Sequence, residues 1–304
     1  MTSKKDFYKE FNVSEYPLSF DSEEDRLQVK DEIQQRLYQS ISNQQASPGL
    51  IRRLLTSTTY KIAAVLIVLI STALISYKLY WLKNDSLTFI TLNAPQGKVM
   101  EFMLPDGSKI ILNAGSKLKY PSKFASTRDI YLEEGEAFFD VTHDPSKPFI
   151  VHTSNVSTRV LGTAFNVKSY AALPTITVTV ERGKVQVNEQ AKTLGVLTPD
   201  KQLVFSKADH SAINKTVKAV KTTAWKKGDF ILTEAYFDEI MLAIANRFNV
   251  EMNYDSKVFS NCQNSIHFTK TQTLSKVLET LKEIQGITYS IKGNQVFITG
   301  KSCK

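Results

Sequence analysis

From Ile62 to Tyr77 the chain reads IAAVLIVLISTALISY, sixteen residues without a charge. It resumes after Lys78 as LYWL and stops at Lys83. About 20 residues at 1.5 Å each span the ~30 Å of hydrocarbon in a bilayer. A buried core helix of this length normally carries a polar stripe, and this run has none. Lys78 falls near the end, where a long side chain reaches the headgroups. Tyr77, Tyr80 and Trp81 suit the aromatic belt of a membrane interface. The run begins only after sixty-one residues, and LKNDS behind it offers no small-residue cleavage site. The expectation is a single-pass anchor at 60–82 and not a removed leader.

Arg52, Arg53 and Lys61 flank the anchor on its N-side, against Lys78 and Lys83 on the other, which favours an N-terminus inside. Residues 1–61 hold nine Lys/Arg and nine Asp/Glu, so the whole net charge of +8 lies in 62–304. A basic excess invites a nucleic-acid reading. The lysines, however, are spread through strand-like segments beside acids, as in VERGKVQVNEQAK, and form no aromatic-interleaved stripe. No direct nucleic-acid contact is expected. Apolar residues at 42% and charged residues at 22% exclude a disordered chain. Two cysteines exclude a disulfide-dense scaffold and a four-cysteine zinc site.

Ahead of the anchor, Asp21-Ser22-Glu23-Glu24 places acids where a helix N-terminus favours them. Val29, Ile33, Leu37 and Ile41 then recur every fourth residue, with Leu27 and Tyr38 beside them, before Ser47-Pro48-Gly49. That is an amphipathic helix, and one such helix cannot bury its stripe alone. It must dimerise, lie on the membrane or bind a partner; a solvated juxtamembrane helix is the plain alternative.

Behind the anchor, residues 85–222 read as β throughout. Runs such as KVMEFML, KIILNA, DIYLEEGEAFFDV, FIVHT, TRVLGTAFNVKSY, TITVTVERGKVQV and KQLVFSK are separated by Pro-, Gly- and Asp-rich turns. Their spacing suits a sandwich, barrel or solenoid. The period changes after Trp225. Phe237, Ile240, Met241, Ile244 and Phe248 form one helical stripe. Leu274, Val277, Leu278, Leu281 and Ile284 form another, with Thr273 as N-cap. Val250–Tyr254, Ser265–Phe268, Ile287–Ile291 and Gln295–Thr299 read as strands, the last two joined by Lys292-Gly293-Asn294. The order β-α-β-β-α-β-β makes a small α/β domain. Domains are therefore expected at 1–57, 88–222 and 225–300, around the anchor.

Catalytic motifs are missing: the sequence has no Walker loop, no GxGxxG after a strand, no HExxH, GxSxG or CxxC. His143 lies near Asp140 and Asp144, but THDPSKP reads better as a polar turn at a strand end. Glu133, Glu134 and Glu136 bracket Gly135, and adjacent carboxylates in a strand point to opposite faces. Cys262 and Cys303 either pair, if their domain lies outside the cytoplasm, or remain free thiols. No enzyme, metal or cofactor is expected.

Four phrases carry a resemblance: LPDGSKIILNAGSKLKYPSKF (104–124), EGEAFFDVTHDPSKPFIVHT (134–153), VLGTAFNVKSY (160–170) and VERGKVQV (180–187). In this order and spacing they resemble the FecR family of membrane-anchored sigma-factor regulators. WKKGDFILTEAYFDEIMLAIANRF (225–248) resembles the C-terminal domain of the Bacteroidota-type branch, which is similar to the short N-terminal (STN) domain of secretins and TonB-dependent transducers.

The resemblance implies a mixed architecture: a short α-helical cytoplasmic segment, one inner-membrane helix, an all-β periplasmic domain (solenoid- or sandwich-like) and an STN-like α/β domain. It implies a signalling relay from the N-terminal domain of a TonB-dependent outer-membrane transducer to an extracytoplasmic-function sigma factor. In some members an intramembrane protease takes part. In that setting Leu27, Val29, Ile33, Leu37 and Ile41 become the sigma-contact face. Strands Val250–Tyr254 and Gln295–Thr299 become candidate sheet edges for transducer docking, through Val250, Met252, Tyr254, Val296 and Ile298. The N-terminal segment, with one clear helix, is shorter than is usual in the family, which leaves inhibitor and activator both open. The reading from the residues alone also allows an anchored ligand- or glycan-binding module without a sigma partner.

Overall fold

The computed structural model describes residues 22–43, 58–84 and 88–303. The chain divides into two compact units, 1–85 and 86–304.

Among its described residues, the first unit contains two helices. Helix α1 (Glu23–Asn43) starts with acids at its N-terminus and carries the pairs Arg26–Glu23 (3.6 Å) and Arg36–Glu32 (2.7 Å) along its surface. It ends before Ser47-Pro48-Gly49, which lie outside the described residues. Helix α2 (Thr58–Asn84) runs through the apolar stretch. Its segment Lys61–Leu79 has a mean hydropathy of 2.2, is long and apolar enough to cross a membrane, and has none of its residues buried. Ser71 and Thr72, the polar side chains in mid-run, donate to the carbonyls of Val68 and Leu69 (2.9 Å each) and so need no water.

The second unit is mostly β. Thirteen strands form one large sheet: β1 (Phe89–Ala94), β2 (Met100–Met103), β3 (Lys109–Leu112), β4 (Ser116–Pro121), β5 (Arg128–Asp140), β6 (Phe149–His152), β7 (Ser157–Val160), β8 (Ala164–Ser169), β9 (Thr175–Arg182), β10 (Val185–Glu189), β11 (Lys192–Leu197), β12 (Lys201–Ser206) and β13 (Ala212–Thr216). The run TRVLGTAFNVKSY is split into β7 and β8 around Leu161-Gly162-Thr163. A Cβ on Gly162 would lie 2.5 Å from the Cα of His143, so the two backbones touch there.

Strand β5 organises the sheet. Its first half pairs with β4 and, in parallel, with β6; its second half pairs with β3 and β8. The change falls at Gly135, whose φ of 105° and contact with Ser116 (2.2 Å from a built Cβ to Oγ) admit no side chain. The order β1-β4-β5-β6-β7-β10-β11 thus makes one half, and β2-β3-β5-β8-β9-β12-β13 the other. Leu118, Ile130, Phe149 and Val185 from the first half share one core with Ile110, Phe139, Phe165 and Val178 from the second. Alternation explains the strands: in β6, Phe149 and Val151 are buried while Ile150 and His152 are not.

A short helix α3 (Ala219–Thr222) and a 3-10 turn (Ala224–Lys227) lead to β14 (Phe230–Tyr236), α4 (Phe237–Phe248), β15 (Glu251–Asn253), α5 (Ser256–Phe259), β16 (Gln263–Phe268), α6 (Leu274–Gln285), β17 (Thr288–Lys292) and β18 (Gln295–Thr299). Thr273 caps α6 by accepting from the backbone of Lys276. Phe237, Ile240, Met241 and Ile244 of α4 pack with Val277, Leu278 and Leu281 of α6, whereas Ile284 ends exposed. Strand β14 pairs with β16, and β15-β18-β17 form a three-stranded sheet. Cys262 and Cys303 are joined by a disulfide that ties the C-terminal tail to the start of β16.

This α/β core does not stop at its own elements. It includes Phe138 of β5 and Ala164 of β8, so it packs directly on the outer face of the large sheet.

Candidate functional site

The sigma-contact residues expected from the sequence lie on α1. Leu27, Ile33, Leu37 and Ile41 are exposed and Val29 is half-buried, and Tyr38 extends the apolar surface. Successive i, i+4 steps drift around a helix by about 40°, so these residues make an oblique ridge.

The residues expected to dock a transducer divide into two groups. Val250, Met252 and Tyr254 line an open cleft of about 540 Å³ between α4, β15 and two residues of the β-rich part, Gln96 and Ala172. Among the described residues, strand β15 pairs on one side only, with β18. The backbone N–H of Glu251 donates to Asn294. Alternation along a strand then leaves the N–H of Met252 on the open side. Asp238, on the first turn of α4, accepts from Tyr254 Oη (2.9 Å) and Ser256 Oγ (2.8 Å). Burial, and then the bond to this carboxylate, push the Tyr254 phenol above its ordinary range, so it stays a neutral donor. The cleft therefore has an apolar floor, acids Asp238 and Glu251 at its rim, and a free strand edge.

Val296 and Ile298 are different. Strand β18 is the middle strand of its sheet, held between β15 and β17, and is not an edge. Both side chains point inward, 0% and 3% exposed, into the α/β core. The sequence pattern of Gln295–Thr299 alternates as an edge would. It hides the parallel pairing with β15, which no local signal announces.

A polar cluster that the sequence does not announce lies where the α/β elements meet the large sheet. Glu136 of β5 is buried; its two carboxylate oxygens accept from the amides of Asn113 and Asn166 (2.8 Å each). Asn166 in turn accepts from the indole N–H of Trp225 (3.3 Å). Lys168 of β8 pairs with Glu239 of α4. Burial raises the Glu136 carboxyl above its usual range, against the pull of Lys168 and the two amides. For Lys168 burial acts to lower the ammonium, but Glu239 and Glu136 together outweigh it and hold it high. Beside this, Lys226 donates to Glu181 (2.8 Å) and sits 3.3 Å over the Phe138 ring. Charged residues in a strand normally read as solvated, so no sequence signal marks them.

The His143 region is a surface turn. Asp140 pairs with Arg182 (2.7 Å), Asp144 accepts from Ser146 Oγ and holds the turn, and His143 is exposed. Among the described residues, no group of three or more His, Cys, Asp and Glu side chains is placed to hold a metal ion.

Residues 90–186 match the model of the FecR protein family, and residues 229–298 match that of the FecR C-terminal domain. No curated protein matches the chain. Two crystal structures of a candidate anti-sigma factor from Parabacteroides distasonis ATCC 8503, at 2.50 and 1.65 Å, are similar to it at 29% identity and a TM-score of 0.66. They cover 71% and 70% of this chain and 100% of their own. The two family matches follow one another along the β-rich and α/β parts of a single compact unit, and the chain belongs to the FecR family.

Proposed function

We propose that this protein is a single-pass inner-membrane sigma regulator. Residues 1–57 face the cytoplasm and hold an extracytoplasmic-function sigma factor through Leu27, Val29, Ile33, Leu37 and Ile41. The β-rich domain (88–222) and the STN-like domain (225–300) are periplasmic. There the protein receives a signal from the N-terminal domain of a TonB-dependent outer-membrane transducer. An intramembrane protease completes the relay where the sigma factor is released by cleavage.

The observation that carries this reading is the combination, in one chain, of the FecR domain pair with an uncovered apolar ridge on α1, separated by a single apolar helix. The likeness to the Parabacteroides protein supports an anti-sigma role. The Cys262–Cys303 disulfide supports the orientation, because such bonds persist outside the reducing cytoplasm.

For docking, Val250, Met252 and Tyr254 present the free edge of β15 to an added strand, while Val296 and Ile298 support that edge from beneath. The test is a pulldown of tagged full-length protein from its native membrane, with mass spectrometry of what it retains. Recovery of a sigma factor and a transducer supports the relay. Binding of the sigma factor by 1–57 that survives Ile33→Ala with Leu37→Ala would show the ridge to be misassigned.

A further inference from the structure

Among the described residues, strand β1 is an edge strand, paired only with β4. Its first two residues, Phe89 and Ile90, are 45% and 39% exposed, and as neighbours in a strand they point to opposite faces. Apolar side chains on both faces of an edge are unusual in water, since such edges invite pairing. The surroundings are basic. Lys117 and Lys119 share one carboxylate, Glu133, at 2.9 and 2.7 Å. Lys119 also lies 5.7 Å from the ring centres of both Phe89 and Tyr131. Lys123 is exposed, next to Ser122, whose backbone N–H and hydroxyl both bond Thr88 (2.8 and 2.7 Å). The acid on the next strand position, Asp129, is engaged by His152 and Thr127.

Four residues separate the end of α2 at Asn84 from Phe89. Fully extended, the five peptide steps reach about 18 Å. The headgroup layer adds roughly 5–7 Å on each side of the hydrocarbon. Phe89 thus follows the apolar helix by no more than that distance along the chain. Aromatic and lysine side chains together are the chemistry that such an interface selects.

We propose that the β1 corner, formed by Phe89, Ile90, Lys119 and Lys123, binds anionic phospholipid at the membrane surface. The Phe89 ring and Ile90 enter the headgroup layer, and the two ammonium groups meet lipid phosphates. The free backbone groups of β1 gain donors and acceptors there. This inference rests on the reading of α2 as a membrane span.

The experiment uses the full chain in nanodiscs of phosphatidylcholine alone, or with 30% phosphatidylglycerol, and follows amide hydrogen exchange of residues 88–94. Exchange slows by about tenfold or more in the anionic discs. Lys119→Gln with Lys123→Gln abolishes that difference, at about fivefold per lysine, from ~1 kcal/mol for each lysine near an anionic surface. Phe89→Ser lowers the protection of residues 88–94 in both lipids. Unchanged exchange in α6 shows that the variants remain folded. Equal exchange in the two lipids, with the chain retained in the discs, overturns the proposal. So does protection that survives loss of both lysines, which would point to a protein contact along the edge. A chain not retained in the discs would instead refute the membrane span itself.

Discussion

Lys168 on β8 and Glu239 on the first turn of α4 form an ion pair that fastens the α/β elements to the outer face of the large sheet. Both side chains are mostly buried, at 18% and 25% exposed, and Lys168 also faces the buried carboxylate of Glu136. Removing the cation leaves two carboxylates without their shared partner. Lys168→Met is therefore expected to cost about 3 kcal/mol, the lower end for breaking a buried pair. Adding Glu239→Leu should recover part of that loss. Urea unfolding of residues 86–304 measures both, and a neutral Lys168→Met would show that the pair contributes nothing to the junction.

Glu136 gives a pH signature. Its folded pKa is raised, chiefly by burial, so its stabilising contribution is complete below the unfolded value near 4.5 and is lost as pH rises through the folded value. Glu133, Glu181 and Glu279 are shifted downward and act oppositely, losing stability as pH falls. The difference between wild type and Glu136→Gln isolates the first effect. Wild type should lose ground relative to the variant as pH is raised from 4.5 to 8. The variant itself loses one acceptor, because both oxygens serve amide donors, at about 1–3 kcal/mol. A stability difference independent of pH would contradict the assignment.

Much of this architecture is legible in the sequence. The apolar run, the amphipathic ridge, the strand alternation and the α4 and α6 stripes follow from periodicity, because each is set by residues close in the chain. Pairings between distant segments are another matter. Nothing near Gln295–Thr299 reveals that β15 lies parallel to it and makes it a central strand. Nothing near Glu136 reveals that Asn113, Asn166 and Trp225 will enclose it. Gly135 is an intermediate case. Glycine within EEGEAFF signals a special backbone position, but only the two-sided pairing of β5 explains why it is needed.

Gly135→Ala is accordingly expected to be among the most damaging single substitutions. The new methyl would lie 2.2 to 2.5 Å from three atoms of Ser116, at a φ of 105° that side chains rarely adopt. Ser116 cannot yield cheaply, since its hydroxyl bonds both the N–H and the C=O of Glu136. A loss of about 4 kcal/mol or more is expected. Thermal unfolding of residues 86–304 would show it as a fall of roughly 8 °C or more, at 2–4 °C per kcal/mol for a unit of this size. A shift within 2 °C would mean that β5 can bend elsewhere.

The disulfide makes a prediction about both stability and compartment. Cys262 and Cys303 are 41 residues apart, and closing such a loop is worth about 4 kcal/mol by chain entropy. Cys303→Ser should lower stability by most of that amount. In intact cells, both thiols should resist a maleimide reagent until a reductant is added. Free labelling without reductant in native membranes would contradict an extracytoplasmic position for this domain.

The last prediction separates the edge of β15 from the core beneath it. Met252 has its N–H on the open side of the strand, whereas Glu251 donates inward to Asn294. Met252→Pro therefore removes a donor that an added strand would use while leaving the β15–β18 ladder intact; edge strands tolerate proline at such positions. Met252 also packs partly against the α/β core, so stability should fall by about 1–2 kcal/mol, while affinity for the N-terminal domain of the proposed transducer should fall tenfold or more. Val296→Ala and Ile298→Ala should behave in the opposite way. Each opens a cavity in the α/β core and should cost about 1–3 kcal/mol, with binding affected only through the fraction unfolded. Titration calorimetry paired with urea unfolding distinguishes the two patterns. If Met252→Pro bound the transducer domain as wild type does, strand addition at β15 would be excluded, and docking would have to use another face of the α/β elements.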